Sequence, residues 1–306
     1  MQGAHLLSAM PGLLRRHGKT ITGAVGSVLA VLAIGFIVLS FRKYDAVLDF
    51  STVRTGQWWA LVGLAATYGL ATALLGAGWW QCLGHLGLAV APQWACSVYG
   101  ATQLSKYVPG NIFHLAGRQA LGMMAGLPGW RLAKSAVLET VLLCMAGALL
   151  GCLALARLEP ALGTGFAVSA YLLGAALVLL VLRRWQGGRL AWAFALYSLF
   201  LLISGLVFQG VLRVLGYGTD WASANVVLVV GAYVLAWLIG MVTPGAPAGI
   251  GIREMVLFFF LKTTLTETDV IVAVVAGRVV TVSGDVLAFV VASLWRLKLR
   301  QPGRAS

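Results

Sequence analysis

Six apolar stretches, each of about 20 residues or more, decide what this chain can fold into. They cover residues 21–41, 57–80, 132–156, 162–182, 190–215 and 270–295. A helix needs about 20 apolar residues to cross a hydrocarbon layer of about 30 Å. Hydrophobic residues make up 60% of the chain and charged residues only 10%, which is too few polar side chains to cover a soluble domain. The sequence therefore predicts an all-α polytopic membrane protein with about six full transmembrane helices.

Two further apolar stretches, 93–127 and 221–265, are interrupted near their middles. The letters KYVPGN interrupt the first at 106–111, and TPGAPAGIG interrupts the second at 243–251. In both stretches the piece after the break is too short to span a membrane. Paired, interrupted apolar segments are typical of re-entrant hairpins, so we expect one hairpin in each stretch.

The 22 Lys and Arg side chains, against 9 Asp and Glu, predict the topology. If the N-terminus is cytoplasmic and each hairpin returns to the side from which it enters, 12 basic side chains are cytoplasmic, 6 are outside and 4 lie at membrane depth. This bias agrees with the positive-inside rule. The cytoplasmic set is Arg15, Arg16, Lys19, Arg131, Lys134, Arg183, Arg184, Arg189, Arg296, Lys298, Arg300 and Arg304, and the outer set is Arg42, Lys43, Arg54, Arg157, Arg213 and Lys262. We therefore expect a cytoplasmic basic N-terminus (1–20), one transmembrane domain (21–295) and a cytoplasmic basic tail (296–306).

This topology gives the two hairpins opposite orientations. Each hairpin lies between two spanning helices, so the chain is predicted to contain an inverted repeat whose breaks meet near the midplane. The repeats cover residues 57–156 and 190–295. The spacing inside the breaks agrees, because Pro109 precedes Arg118 by nine residues and Pro244 precedes Arg253 by nine.

Six charged residues fall in or beside apolar stretches, where a charge costs roughly 2.5–3.5 kcal/mol at a helix centre. They are Arg118, Glu139, Arg253, Glu254, Arg278 and Asp285. Glu139, Arg278 and Asp285 either form structural ion pairs, with Arg278 and Asp285 sharing partners on one helical face, or carry protons across the membrane.

Arg118 and Arg253 each follow a Pro-Gly break, where an unwound helix frees backbone N–H groups. Free donors, a helix N-terminus and a guanidinium together make an anion site that suits a phosphate. The candidate substrate-binding residues are Lys106, Gly110, Asn111, Arg118, Gly249, Gly251, Arg253 and Glu254. Alternatively, the glycines only permit close packing, each arginine pairs with a carboxylate such as Glu254, Lys106 reaches the interface, and Asn111 caps a helix.

No catalytic motif is recognisable: G-x-S-x-G, H-E-x-x-H, a P-loop and a convincing dinucleotide loop are all missing. The four cysteines lack the spacing of a metal site. We expect no catalytic residues, cofactor or metal, and the basic residues between apolar spans do not predict nucleic-acid binding. An intramembrane transferase acting on a lipid phosphate stays open, because the fold could assemble a carboxylate and arginine set.

Both break motifs, KYVPGN through His114 to Arg118 and PAGIGIRE at 247–254, resemble the lysylphosphatidylglycerol synthetase transmembrane (flippase-type) family. The resemblance covers about residues 20–295. It implies a lipid flippase with two re-entrant hairpins, as a stand-alone member without the soluble synthase domain. It also leaves aminoacylated phospholipids, hopanoid-type lipids and polyprenyl-linked sugars open as substrates.

We therefore expect translocation of an anionic, phosphate-bearing lipid between the leaflets of a bacterial inner membrane. The expected partners are membrane lipids, either anionic phospholipids or polyprenyl phosphates. The alternative is a non-transporting accessory or scaffold protein for a lipid- or glycan-modifying enzyme. The 38 glycines, which suit close helix packing, are also compatible with a homodimer.

Overall fold

The computed structural model describes residues 55–108, 112–157, 163–217, 223–243, 249, 251–262 and 265–299. These residues contain helices and turns and no strand. The predicted helix at 21–41, the basic N-terminus and the last seven residues of the predicted tail lie outside the described residues.

Nine α-helices make up the described chain. They are α1 (Thr55–His85), α2 (Pro92–Thr102), α3 (Phe113–Met124), α4 (Gly129–Gly151), α5 (Gly163–Val181), α6 (Gly188–Val214), α7 (Ser223–Val242), α8 (Ile252–Leu261) and α9 (Glu267–Leu299). A 3₁₀ turn at Gln103–Tyr107 extends α2, and another at Cys152–Arg157 extends α4. One π-turn, Leu182–Gln186, follows α5.

Five of these helices are long and apolar enough to cross a membrane. The candidate spans are Thr55–His85, Gly129–Ala154, Gly163–Gln186, Gly188–Val214 and Thr268–Arg296. They coincide with five of the six spans predicted from the sequence, and the sixth is the stretch 21–41. The prediction of an all-α, multi-pass membrane protein is confirmed at this level for the described residues.

Each of the two interrupted stretches contains two helices, one before its break and one after it. Helices α2 and α3 flank the first, and α7 and α8 flank the second. At a rise of 1.5 Å per residue, the 12 residues of α3 and the 10 of α8 reach only about 18 and 15 Å. The expectation that the pieces after the breaks are short is therefore met. Helix α7 has 20 residues, against 11 in α2, so the pieces before the two breaks differ in length. We call α1–α4 the first half of the described chain and α6–α9 the second half.

The first helix of each half ends in the same way. Gly87 follows α1 with φ +72°, and Gly216 follows α6 with φ +84°. The next amide in each case, Leu88 or Tyr217, donates to a carbonyl five residues back at 2.9 or 2.8 Å. This is the Schellman arrangement, which needs a left-handed residue that glycine adopts without strain.

The two halves have the same packing pattern, because contacts made by helices of one half are also made by the corresponding helices of the other half. Helix α1 packs most extensively on α6, its counterpart. Helix α2 packs on α9, the last helix of the other half, and α7 packs on α4 in the same way. Each interrupted segment is therefore held by the opposite half, and the two halves form one core.

Glycines allow these helices to approach closely. A Cβ on Gly69 of α1 would lie 2.8 Å from the carbonyl oxygen of Gly284 on α9. Gly100 of α2 faces Ala288 and Ala292 on α9, and Gly231 of α7 faces the turn after α4. Small residues at helix contacts are typical of membrane proteins, because backbones pack there by van der Waals contact.

Helix α5 connects the two halves and lies at the outside of the bundle. None of its residues is buried. An apolar helix with no buried face fits an environment of lipid.

Candidate functional site

Arg118 and Glu139 form a buried ion pair between α3 and α4. Arg118 Nη1 lies 2.6 Å from Glu139 Oε2, and the two residues are 3% and 2% exposed. The phenol of Tyr99 donates to the other carboxylate oxygen at 2.8 Å. The guanidinium also lies over the Tyr99 ring, 4.2 Å from its centroid, and near Trp79. The structure therefore gives Arg118 a carboxylate partner, Glu139 rather than Glu254.

Asp285 is fully buried on α9 and accepts three hydrogen bonds or ion pairs from the first interrupted segment. Lys106 Nζ lies 2.7 Å from Oδ2, Tyr107 donates to Oδ2 at 2.6 Å, and Gln103 donates to Oδ1 at 3.2 Å. Lys106 keeps 20% of its side chain exposed. This cluster joins the 3₁₀ turn before the first break to the other half.

The sequence reasoning did not single out Gln103 or Tyr107 as partners of Asp285. Both lie in the 3₁₀ turn that leads into the first break. Two side chains with polar groups directly before a break are the signal that could have identified them. Their partner on α9 could not have been identified from local sequence.

Glu254 of α8 and Arg278 of α9 form the third ion pair. Arg278 Nε and Nη2 both donate to Glu254 Oε1, at 3.2 and 3.1 Å, and Nη2 also donates to the carbonyl of Gly249 at 3.2 Å. Glu254 Oε2 is buried and accepts no hydrogen bond. Arg278 and Asp285 thus pair with different residues, so the expectation that they share partners does not describe the structure.

Arg253, the residue before Glu254, forms no ion pair with any described residue. Its Nε is buried without a hydrogen-bond partner. Its guanidinium carbon lies 5.8 Å from the centroid of the Trp237 ring. In the described part of the chain, Arg253 is therefore a partly buried charge with no carboxylate within ion-pair distance.

Glycines shape the second break around Arg253. Gly249 and Gly251 have φ values of +71° and +88°, and Gly251 is the N-cap of α8. A Cβ on Gly249 would lie 2.8 Å from the Cα of Gly240 and 2.9 Å from Arg253 Nε. Both predicted glycines are thus needed for the turn, and Gly249 also lets α7 and Arg253 pack against each other.

Three cations and two carboxylates lie together around Arg253. Lys106, Arg253 and Arg278 influence one another electrostatically. Asp285 pairs with Lys106, and Glu254 pairs with Arg278. Within this set of five described residues, Arg253 is the one without an ion-pair partner. We call these five residues the central cluster.

The structure therefore separates the predicted site residues into two groups. Lys106, Arg253, Glu254, Arg278 and Asp285 come together in the central cluster, with Gly249 and Gly251 beside them. Arg118 and Glu139 pair with each other. Gly110 and Asn111 lie outside the described residues.

No metal site is visible within the described ranges, where no three His, Cys, Asp or Glu side chains could hold one ion together. The four cysteines are free. In comparisons with known proteins, no family model matches this chain and no curated protein matches it.

Proposed function

We propose that this protein moves an anionic, phosphate-bearing lipid between membrane leaflets, with the headgroup phosphate bound by Arg253. The observation that supports this best is Arg253, beside the second break, which has no ion-pair partner among the described residues and whose buried Nε has no hydrogen-bond partner. A positive charge in a membrane-embedded site is costly unless an anion accompanies it. A phosphate matches the planar donors of arginine and supplies that anion.

Arg118 and Arg253 have different roles in this proposal, since Arg118 forms a structural ion pair and Arg253 contacts the substrate. The Arg118–Glu139 pair ties the short helix after the first break to the spanning helix that follows. The Glu254–Arg278 pair ties α8 to α9 in the same way, with the charges reversed. These pairs position the two breaks, and Arg253 contacts the substrate.

The mechanism that we propose is alternating access. The interrupted segments act as re-entrant hairpins in an inverted repeat, and one half rocks against the other while the phosphate stays at the midplane. The exchangeable packing of the two halves supports this arrangement. Apolar lipid tails would remain in the bilayer, beside exposed apolar side chains such as Met255 of α8. The movement is passive or coupled to protons or the membrane potential, in an inner membrane with both termini cytoplasmic.

A lipid-scrambling assay tests the proposal. Purified protein is placed in liposomes that contain fluorescent phosphatidylglycerol, and a membrane-impermeant reductant then bleaches the outer leaflet. Wild-type protein should expose the inner-leaflet dye, and Arg253→Gln should slow that step tenfold or more. The reason is that losing one charge-assisted contact costs about 1.5–3 kcal/mol, and 1.4 kcal/mol is a factor of ten.

Lys262→Ala is the matched control. Lys262 lies just after α8, is exposed and forms no ion pair with a described residue, so its loss removes one positive charge outside the central cluster. We expect this variant to scramble lipid at the wild-type rate. Equal rates in wild type and Arg253→Gln would overturn the assignment of the phosphate to Arg253. Inert wild-type protein would favour the accessory or scaffold function instead.

A further inference from the structure

We infer that the phenols of Tyr68 and Tyr233 donate hydrogen bonds to the phosphate at Arg253, so that both halves of the protein contact the headgroup. Tyr68 lies on α1 of the first half, and Tyr233 lies on α7 of the second half. The inference rests on the proposed function, because it assumes that Arg253 binds the phosphate. It deepens that function by naming two further residues that contact the substrate.

The surroundings of Arg118 show how this fold holds an oxyanion. The carboxylate of Glu139 accepts a hydrogen bond from Arg118 Nη1 at 2.6 Å and another from the hydroxyl of Tyr99 at 2.8 Å. The ring of Trp79 lies beside the same guanidinium, with its centroid 5.6 Å from the guanidinium carbon. In the first half, a guanidinium and a phenol therefore bind one anion together, next to a tryptophan ring.

Arg253 has a similar set of neighbours in the second half, without a carboxylate within ion-pair distance among the described residues. Tyr233, Trp237 and Gly240 lie at positions i, i+4 and i+7 of α7 and therefore share one face of that helix. Arg253 packs against this face, because its guanidinium carbon lies 5.8 Å from the Trp237 ring centroid and a Cβ on Gly240 would lie 3.1 Å from its Nε. Tyr233, one turn further along the face, influences Arg253 electrostatically.

A spanning helix of the opposite half supplies a second phenol at each arginine. Tyr68 on α1 and Tyr197 on α6 each lie 19 residues before the glycine that follows their helix. Tyr197 influences Arg118 electrostatically, and Tyr68 influences Arg253 in the same way. Each arginine is thus near one tyrosine of its own half and one tyrosine of the other half.

The hydroxyls of Tyr68 and Tyr233 are available to a ligand. The two residues are only 3% and 6% exposed, and neither forms a hydrogen bond with a described residue. Tyr107, the third phenol near Arg253, already donates to Asp285. A buried hydroxyl without a partner is costly. The non-bridging oxygens of a phosphate at Arg253 would accept from both phenols, as the carboxylate of the first half accepts from its own.

The test is an equilibrium titration of purified protein with fluorescent phosphatidylglycerol in a mild detergent. Tyr68→Phe and Tyr233→Phe each remove one hydroxyl and keep the ring, which packs on Phe200 or Phe208. Each variant should bind the lipid about tenfold more weakly, which corresponds to about 1.4 kcal/mol. This is the size of effect expected when a hydrogen bond to a charged group is lost.

Tyr197→Phe is the matched control, because Tyr197 is the counterpart of Tyr68 at the other arginine and its hydroxyl contacts Cys82 Sγ at 3.8 Å. This variant should bind phosphatidylglycerol as wild type does. The unfolding temperature without lipid is the second measurement. It should be unchanged in Tyr68→Phe and Tyr233→Phe, since neither hydroxyl has a hydrogen bond to a described residue that could be lost, whereas a purely structural role would lower it.

The outcomes separate this inference from the proposed function. If Arg253→Gln weakens binding and the folded Tyr68→Phe and Tyr233→Phe proteins bind as wild type, the phenols are not substrate contacts and the translocation proposal stands. An equal loss of affinity in Tyr197→Phe also overturns the inference, because the loss would not depend on the site at Arg253. Wild-type affinity in Arg253→Gln overturns both proposals. The two phenols lie on different helices, so either variant decides the question if the other one does not fold.

Discussion

At the scale of single residues, the six charged residues of the apolar stretches have two roles, which are ion pairing and the proposed contact with the substrate. Arg118, Glu139, Glu254, Arg278 and Asp285 each have an oppositely charged partner, as Lys106 does. Buried ion pairs are weak contributors to stability when intact, but breaking one by removing a single partner is costly. Arg253 has no such partner among the described residues, and this is the residue that we propose to contact the substrate.

The Arg118–Glu139 pair gives the first residue-scale prediction. Arg118→Met or Glu139→Leu alone should destabilise the folded protein by about 3–5 kcal/mol, because each leaves an uncompensated buried charge. The double variant, which removes both charges, should recover most of the lost stability. Thermal unfolding in a mild detergent measures the difference. If Arg118→Met left stability unchanged and abolished lipid binding, Arg118 would belong to the anion site after all.

At the scale of elements, the packing of helices depends on where glycines allow two backbones to meet. Three of the six glycines in helix α1 differ in this respect. Gly69 lies against the backbone of α9, while at Gly56 and Gly63 an added Cβ would have no neighbouring atom within 4 Å. A single helix therefore offers both a tight contact and an open control.

We predict that Gly69→Ala destabilises the bundle and that Gly63→Ala does not. The added methyl at position 69 would lie 2.8 Å from the carbonyl oxygen of Gly284, and the backbone there cannot rotate away as a side chain could. Overpacking of this kind costs about 1–3 kcal/mol. At position 63 the change should be neutral, or stabilising by about 0.5–1 kcal/mol, since alanine favours helix. Thermal unfolding of both variants under one condition is the measurement, and equal effects would contradict the close contact between α1 and α9.

At the scale of the whole molecule, the ion pairs differ in what they join. Arg118–Glu139 and Glu254–Arg278 each lie within one half, whereas Lys106–Asp285 joins the first interrupted segment to the last helix of the other half. Tyr107 and Gln103 strengthen that junction by donating to the same carboxylate. If the halves rock against each other, this junction is where they must separate.

Bridging this junction should stop lipid movement. In a variant whose four native cysteines are replaced by alanine, Lys106→Cys and Asp285→Cys are joined by a short bis-methanethiosulfonate, which forms a disulfide with each thiol and releases methanesulfinate. The bridge should block scrambling, and a reductant should restore it. The variants with only one of the two introduced cysteines, treated with the same reagent, are the control for modification alone. Scrambling that continues at full rate while the bridge is intact would show that the halves do not part at this contact.

The sequence by itself determined that the described chain is helical and where its helices run. Water is missing from the hydrocarbon layer, so backbone groups must bond within each segment, and apolar length alone reveals the spans. The Pro-Gly letters also marked both breaks, since proline lacks an N–H and glycine tolerates positive φ. These are local properties of the chain, and they do not depend on which helices pack beside each segment.

Only the tertiary structure decided which charges pair. Arg278 and Asp285 lie seven residues apart on one helix, yet each binds a residue on a different element. Arg118 and Arg253 have matching places in the sequence, yet one has a carboxylate partner and the other has none among the described residues. Spacing along the sequence identifies neighbours on one helix. Partners on different helices depend on how the helices pack, and that packing determines which arginine has a carboxylate partner among the described residues.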